Sequence, residues 1–265
     1  MTARIEPESY AGCDAAARLL ITARQAGVAG ERLPTDLRPR NLGQGFAVQL
    51  RTAQLLEKEH QDPALAWKSA LPSADRASTA PIYASTIMRA DAGALRMPVV
   101  EGKVRIEPEI AFEIGRDLPA RSLPYSEAEV DAAIGRACLA LEVLGCRYAR
   151  PDEASASELL ADHMFNHGLV LGPDIASPDA APVEMDITVQ AGHEAAQSYA
   201  GVHPNKAPKA GLYWLVEFLR GAGLGLKAGQ HVITGSYAGY IDVPAGMDLQ
   251  IGYGELGTMA VRFAG

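Results

Sequence analysis

Apolar residues recur at helical spacing from Tyr10 to Val28, with Leu19, Leu20, Ala23 and Ala26 on one side. They do so again from Leu42 to His60, where Phe46, Val48, Leu50, Leu55 and Leu56 supply the apolar face. Two amphipathic helices are predicted, with Gly27 and Gly30 punctuating the end of the first. Beyond about residue 66 the period changes, apolar runs shorten, and Gly and Pro become frequent. Val99 to Ile114 alternates with the period of a strand or hairpin. Ser126 to Gly145 reads as a helix running into an apolar strand, Ser157 to His163 as a helical turn, and Leu169 to Gly172 and Met185 to Gln190 as strands. Pro208 to Arg220 predicts a helix with Leu212, Leu215, Val216 and Leu219 on its stripe. Short strands between turns follow at His231 to Ser236, Ile241 to Val243, Leu249 to Tyr253 and Met259 to Phe263. The pattern predicts an α+β protein, with a helical region over residues 1–65 and a mixed, β-rich domain over residues 66–265.

Composition narrows the possible partners. The chain has 265 residues, 48% of them hydrophobic and 21% charged, enough for a sizeable core. Lys and Arg number 24 against 32 Asp and Glu, a net charge of −8. That balance lacks the basic footprint of nucleic-acid binding and disfavours anionic membranes. Cys13, Cys138 and Cys146 form no C-x-x-C pair, which argues against a disulfide framework or a thiolate zinc site. Met1 to Gly12 shows no signal-peptide pattern, and no apolar run reaches membrane-spanning length. A soluble cytoplasmic protein is expected.

Several motif-like stretches carry little chemistry. Gly221-Ala222-Gly223-Leu224-Gly225 follows a helix instead of a strand, so it reads as a helix end and not a nucleotide loop. The serine in Gly235-Ser236-Tyr237-Ala238-Gly239 stands one position early for a nucleophile elbow. His163 and His167 stand four apart without the glutamate of H-E-x-x-H, and Gly168 suggests that any helix has ended.

Three carboxylates stand out instead. In Val104 to Ile114 the apolar Ile106, Pro108, Ile110, Phe112 and Ile114 face one way, and Glu107 and Glu109 share the other face. Pro108 predicts an edge or bulged strand. Glu142 sits inside the apolar run Ala137 to Gly145, where a buried charge needs a partner. Arg147 is the local candidate for an ion pair. A hard divalent cation shared with Glu107 and Glu109 is the alternative, and all-oxygen ligation suits Mg²⁺ or Mn²⁺.

Glu107 to Leu118 resembles the "E-x-E-I-A-F" strand of the fumarylacetoacetate hydrolase superfamily, nearest to its 2-keto-4-pentenoate hydratase and 4-oxalocrotonate decarboxylase branch. Ala140-Leu141-Glu142-Val143 with Arg147 resembles that branch's "A-x-E-[IV]-x-x-x-R". Ala161-Asp162 through Gly172, Gly192 through Leu219, Ala228 to Ser236 and Gly257 to Phe263 resemble further segments in the same order, from roughly Leu42 onward. The resemblance implies a fumarylacetoacetate hydrolase-like fold, a homo-oligomer, and Mg²⁺ or Mn²⁺ held by Glu107, Glu109 and Glu142. It implies a small 2-hydroxydienoate or 2-keto acid substrate and a lyase reaction, with hydration first. Decarboxylation, C–C hydrolysis of an acylpyruvate, and keto-acid binding without catalysis are the alternatives.

Lys68 aligns with the family's lysine in "G-x-K-[IV]-G", although Ala66 and Ala70 replace both glycines. It is expected to meet the substrate carboxylate or act as an acid. Ser85 occupies the position where the hydratases carry an acid/base aspartate, and His163-Met164-Phe165 replace the usual Asn-Ala-Ser after Asp162. Asp162 is expected to orient a neighbouring group. Asn166, Thr234 and Ser236 are expected to contact substrate.

Overall fold

Helix α1 (Cys13–Ala26) ends at Gly27, whose φ of 66° lets its N–H turn back onto the last carbonyls. Helix α2 (Leu42–His60) is capped by Asn41, whose side-chain oxygen accepts from the Gln44 N–H at 2.8 Å. The structure is a computed structural model and describes residues 5–73 and 77–265. The two helices pack on each other and bury Ala17, Leu20, Val48 and Leu55 against Tyr83 and Tyr148.

After the helices come β1 (Ala64–Ala70), β2 (Ser78–Tyr83), β3 (Ile87–Arg89), β4 (Ala94–Leu95) and β5 (Lys103–Ile114). Helix α3 (Glu127–Asp131), with a Ser126/Glu129 capping box, leads into β6 (Ile134–Leu144). Helix α4 (Ala156–Ala161), β7 (Asn166–Asp174), β8 (Glu184–Ala191), β9 (Gln197–Val202) and α5 (Ala210–Gly221) follow. The chain closes with β10 (His231–Ile233), β11 (Ile241–Pro244), β12 (Asp248–Tyr253) and β13 (Thr258–Phe263).

Among the described residues these strands form two sheets. The first runs β2-β1-β10-β5-β6-β7-β3, with β11 pairing the start of β5; the second runs β4-β13-β12-β8-β9. The main core lies between them and under α5, and holds Phe112, Leu139, Leu215, Tyr253, Met259 and Phe263. No helix among the described residues is long and apolar enough to cross a membrane.

The elements differ from expectation in places with physical causes. Ala64–Ala70 and Ser78–Tyr83 are strands buried on both faces over most of their length, so no alternation marked them. Pro81 is tolerated because β2 ends the sheet. Strand β9 is a largely exposed edge and shows no apolar face.

The expectation that Pro108 marks an edge or bulge is corrected. Strand β5 lies inside the sheet, and its register with β6 shifts only at Glu113/Ile114. On its other side β10 pairs residues 111–113 and β11 pairs residues 103–106. Pro108 falls in the gap between them, where no ladder bond needs its missing N–H. The connecting segment returns there, and the Tyr237 N–H donates to the Pro108 carbonyl at 3.0 Å.

Candidate active site

The β5–β6 register places Glu107 directly opposite Glu142, and Glu109 two residues along on the same face. One carboxylate oxygen from each of the three can be chosen so that all lie within 4.8 Å of one another. Glu109 and Glu142 are buried and Glu107 is half-buried. Like charges placed face to face repel, so the arrangement needs positive charge.

Lys68 supplies part of it from β1. Strands β1 and β6 are separated by β10 and β5, roughly 14 Å on a flat sheet at about 4.8 Å per step. Lys68 Nζ nonetheless lies 2.7 Å from Glu142 Oε1, because the sheet curls until β2 touches β7. The same Glu142 oxygen accepts from Asn166 Nδ2 at 2.8 Å. Both donors thus converge on Oε1, and the buried Oε2 has no hydrogen-bond partner. Glu109 accepts from the Gly235 N–H at 2.6 Å. Gly235 has a φ of 137°, and a Cβ there would stand 2.6 Å from Pro204 Cγ, so this donor needs glycine.

Burial raises the Glu109 carboxyl well above its ordinary range, reinforced by the charges of Glu142 and Glu107. Burial alone would lower the Lys68 pKa, but Glu142 and Glu107 outweigh it and hold the ammonium above its usual value. A buried carboxylate oxygen without a donor, in an all-carboxylate set, fits a hard divalent cation. The glutamates and Lys68 line a cavity of about 310 Å³, with Leu71, Ser73, Ser78, Asn205 and Ser236 among its other walls.

A larger groove of about 740 Å³ shares no residue with this cavity. Its charged residues lie at the surface, and Arg89 pairs with Asp91 and Arg262 with Asp248. The smaller cavity, with its buried unsatisfied carboxylate, is the candidate site.

Residues 163–165 form a left-handed turn, with φ of 65°, 47° and 65° at His163, Met164 and Phe165. Such a backbone costs about 1–2 kcal/mol for each non-glycine residue. The Met164 carbonyl accepts from Lys68 Nζ at 3.1 Å. Arg147 holds both ends of the turn, donating to the carbonyls of Asp162 and Asn166 at 2.5 and 2.9 Å. Its Nε lies 2.5 Å from Asp162 Oδ1.

Two expectations are corrected here. Arg147 does not partner Glu142: β6 ends at Leu144, Arg147 beyond it is committed to Asp162, and the curl of the sheet brings Lys68 in instead. Ser85 does not reach the glutamates. It is exposed in the turn Ala84–Thr86, and its hydroxyl donates to Asp62 Oδ2 at 2.6 Å.

Asp162 lies outside the cavity wall and acts on Arg147. Thr234 is buried behind the wall and donates to the Pro208 carbonyl at 2.6 Å. Ser236 lines the cavity, with its hydroxyl on the Gly239 carbonyl at 2.7 Å. His163 binds the Tyr83 hydroxyl and His167 belongs to β7, so these histidines form no metal pair. Sequence reasoning missed Asn205, the Gly235 N–H and the Met164 carbonyl. The last two are backbone groups, which residue identity does not announce.

The raised Glu109 pKa has a consequence for pH. The metal-free folded chain keeps a proton that the unfolded chain releases near the ordinary carboxylate value of 4.5. Its stability contribution is therefore lost as pH rises from that value towards the folded pKa. A cation must displace the proton. The rise in melting temperature on adding Mg²⁺ is expected to be larger at pH 8 than at pH 6, by calorimetry. Equal rises would show that Mg²⁺ displaces no proton from Glu109 between these pH values.

A family model described as the fumarylacetoacetate (FAA) hydrolase C-terminal region matches residues 56–264. A TodF product hydratase of Pseudomonas putida is 29% identical over 168 residues, 60% of this chain; the match spans 59% of that relative's length. Structures of 4-oxalocrotonate decarboxylase from Pseudomonas putida G7 cover 97% of this chain and 99% of theirs at 16% identity. The TM-score is 0.75 for the complex with calcium and acetate and 0.76 for that with magnesium and adipate. A 2-hydroxyhepta-2,4-diene-1,7-dioate isomerase from Mycobacterium marinum matches at a TM-score of 0.52 and 16% identity, over 77% of this chain and 76% of its own. These structural likenesses establish the fold.

Proposed function

This chain belongs to the fumarylacetoacetate hydrolase family, and we propose that within it the protein is a divalent-metal-dependent lyase of the hydratase type. The proposed substrate is a small 2-hydroxydienoate or its 2-keto tautomer, in aromatic or related catabolism. The observation that carries this reading is the Glu107–Glu109–Glu142 set, buried at Glu109 and Glu142, with Lys68 bound to one oxygen of Glu142 and the other left unsatisfied. The hydratase relative supports the reaction class.

Glu107, Glu109 and Glu142 would hold Mg²⁺ or Mn²⁺. Bound there, the cation would supply Lewis acidity that offsets negative charge building on the substrate's 2-oxygen. The Lys68 ammonium stays protonated, so it meets the substrate's negative charge and holds a proton at Nζ for the dienol carbon as it ketonises. Asn205 Nδ2 is buried in the cavity wall without an acceptor and can donate to a substrate oxygen. Leu71 gives the diene an apolar contact.

Decarboxylation is the second reading, and the lining itself favours it. Among the described residues, the titratable side chains of the cavity wall are the three glutamates and Lys68. A carboxylate outside the cation set, able to activate water, is not among them. Losing CO₂ needs the electron sink and a proton donor but no activated water.

The test mixes metal-free protein with 2-hydroxypenta-2,4-dienoate, with and without Mg²⁺, and follows dienol absorbance and products. Mg²⁺-dependent loss with 4-hydroxy-2-ketopentanoate formed is expected. A folded, Mg²⁺-loaded protein that leaves the dienol intact would reject hydration of this substrate. Release of CO₂ from 4-oxalocrotonate would then establish the second reading.

A further inference from the structure

A buried pair beside the cluster has no part in the chemistry described so far. Tyr83 Oη and His163 Nε2 lie 2.7 Å apart, and neither residue is more than 1% exposed. His163 opens the left-handed turn 163–165, in which three consecutive residues without glycine's freedom hold positive φ. Strain of this kind persists only where the surroundings over-determine it.

The surroundings are specific. Arg147 fixes the carbonyls at both ends of the turn, and the Gly145 N–H donates to Phe165 O at 2.7 Å. Met164 is buried among Ile5, Phe46, Ala77 and Leu160. The imidazole of His163 ties the start of the turn to the end of β2, where the Arg24 guanidinium sits 5.4 Å from the centre of the Tyr83 ring.

Topology shows what this tie does. Strands β2 and β1 lie at one end of the curled sheet, and β6 and β7 lie towards the other. The Lys68–Glu142 contact crosses the gap between these ends, and so does the Tyr83–His163 bond. The turn also delivers the Met164 carbonyl to Lys68 and leads directly into Asn166, whose amide holds Glu142.

We propose that Tyr83 and His163 are positioning residues. Their bond latches the left-handed turn across the open side of the sheet, so that Lys68 and Asn166 grip one oxygen of Glu142 and leave the other to the cation. This rests on the metal assignment of the preceding section.

The experiment titrates the 265-residue chain with Mg²⁺ by calorimetry and records metal-free melting and the kinetic constants. Tyr83→Phe removes a single oxygen and His163→Phe removes the ring nitrogens. Each is expected to weaken Mg²⁺ binding about tenfold, the range for outer groups that orient ligands, and to lower kcat more than it raises KM. Metal-free melting is expected to stay within a few degrees. His163→Gln keeps a partner for the Tyr83 hydroxyl and is expected to recover most of the affinity. Wild-type affinity in both Phe variants would overturn the latch, as would His163→Gln binding no better than His163→Phe. If His163→Phe does not fold, Tyr83→Phe decides alone. Absence of Mg²⁺ binding in the unmodified protein would overturn the metal assignment itself, so the two failures are distinguishable.

Discussion

Glu142→Gln is expected to weaken Mg²⁺ binding by about 100-fold or more and to lower turnover on the order of 10²–10³-fold. The substitution keeps the size of the side chain. Its amide oxygen can still accept from Lys68 Nζ and Asn166 Nδ2, which now share Glu142 Oε1 at 2.7 and 2.8 Å. What disappears is the charge on the second oxygen, which is buried without a hydrogen-bond partner. An –NH₂ in that place is a donor that repels a cation. The variant also leaves the Lys68 ammonium without its nearest counter-charge, so metal-free stability falls as well. Calorimetric titration beside a denaturation curve separates the two effects. Mg²⁺ affinity equal to that of the unmodified protein would remove Glu142 from the site.

Lys68→Met should separate catalysis from metal binding. Methionine fills a similar space without the ammonium, so turnover is expected to fall about 10²–10⁴-fold, the usual contribution of a positioned proton donor. Mg²⁺ binding should survive with a loss of no more than about tenfold, because Asn166 still holds the same oxygen of Glu142. Without metal the buried pair is broken on one side, which costs about 3–5 kcal/mol where the orphaned charge cannot adjust. The loss should shrink when Mg²⁺ is added, because the cation supplies the positive charge that Lys68 no longer provides. Urea denaturation with and without Mg²⁺ measures this, and steady-state kinetics measure the rest. Unchanged turnover would end the catalytic assignment of Lys68.

The sequence carried the site further than it carried the fold around it. Glu107 and Glu109 were legible because strand alternation puts positions i and i+2 on one face, and β5 runs straight through both. Glu142 was legible because a carboxylate inside Ala137 to Gly145 has to be buried. Helix α2 was legible from end to end because it is amphipathic and capped. Strands β1 and β2 were not, because residues buried on both faces erase the period that marks a strand. The strand carrying Lys68 was therefore unread, even though the lysine itself stood out by its family alignment.

Ser85 shows the opposite limit. A motif position identified it, but its hydroxyl is committed to Asp62 in an exposed turn. Arg147 was placed beside Glu142 by proximity in sequence, and the structure gives it to Asp162 and the turn. In both cases a short-range pattern named a residue whose partner is set by chain distant from that pattern.

By itself the sequence determined the helical start, the β-rich remainder and the face shared by Glu107 and Glu109, since these depend on periodicities that operate over a few residues. Only the tertiary structure decided that Lys68 meets Glu142, that Pro108 lies in a gap between two partner strands, and that a left-handed turn supplies a carbonyl to the cluster. The Pro108 gap depends on where β10 and β11 pair along β5, and the Lys68 contacts depend on how far the first sheet curls before β2 meets β7. That curl is settled by the packing of the whole chain, and no local run of residues encodes it.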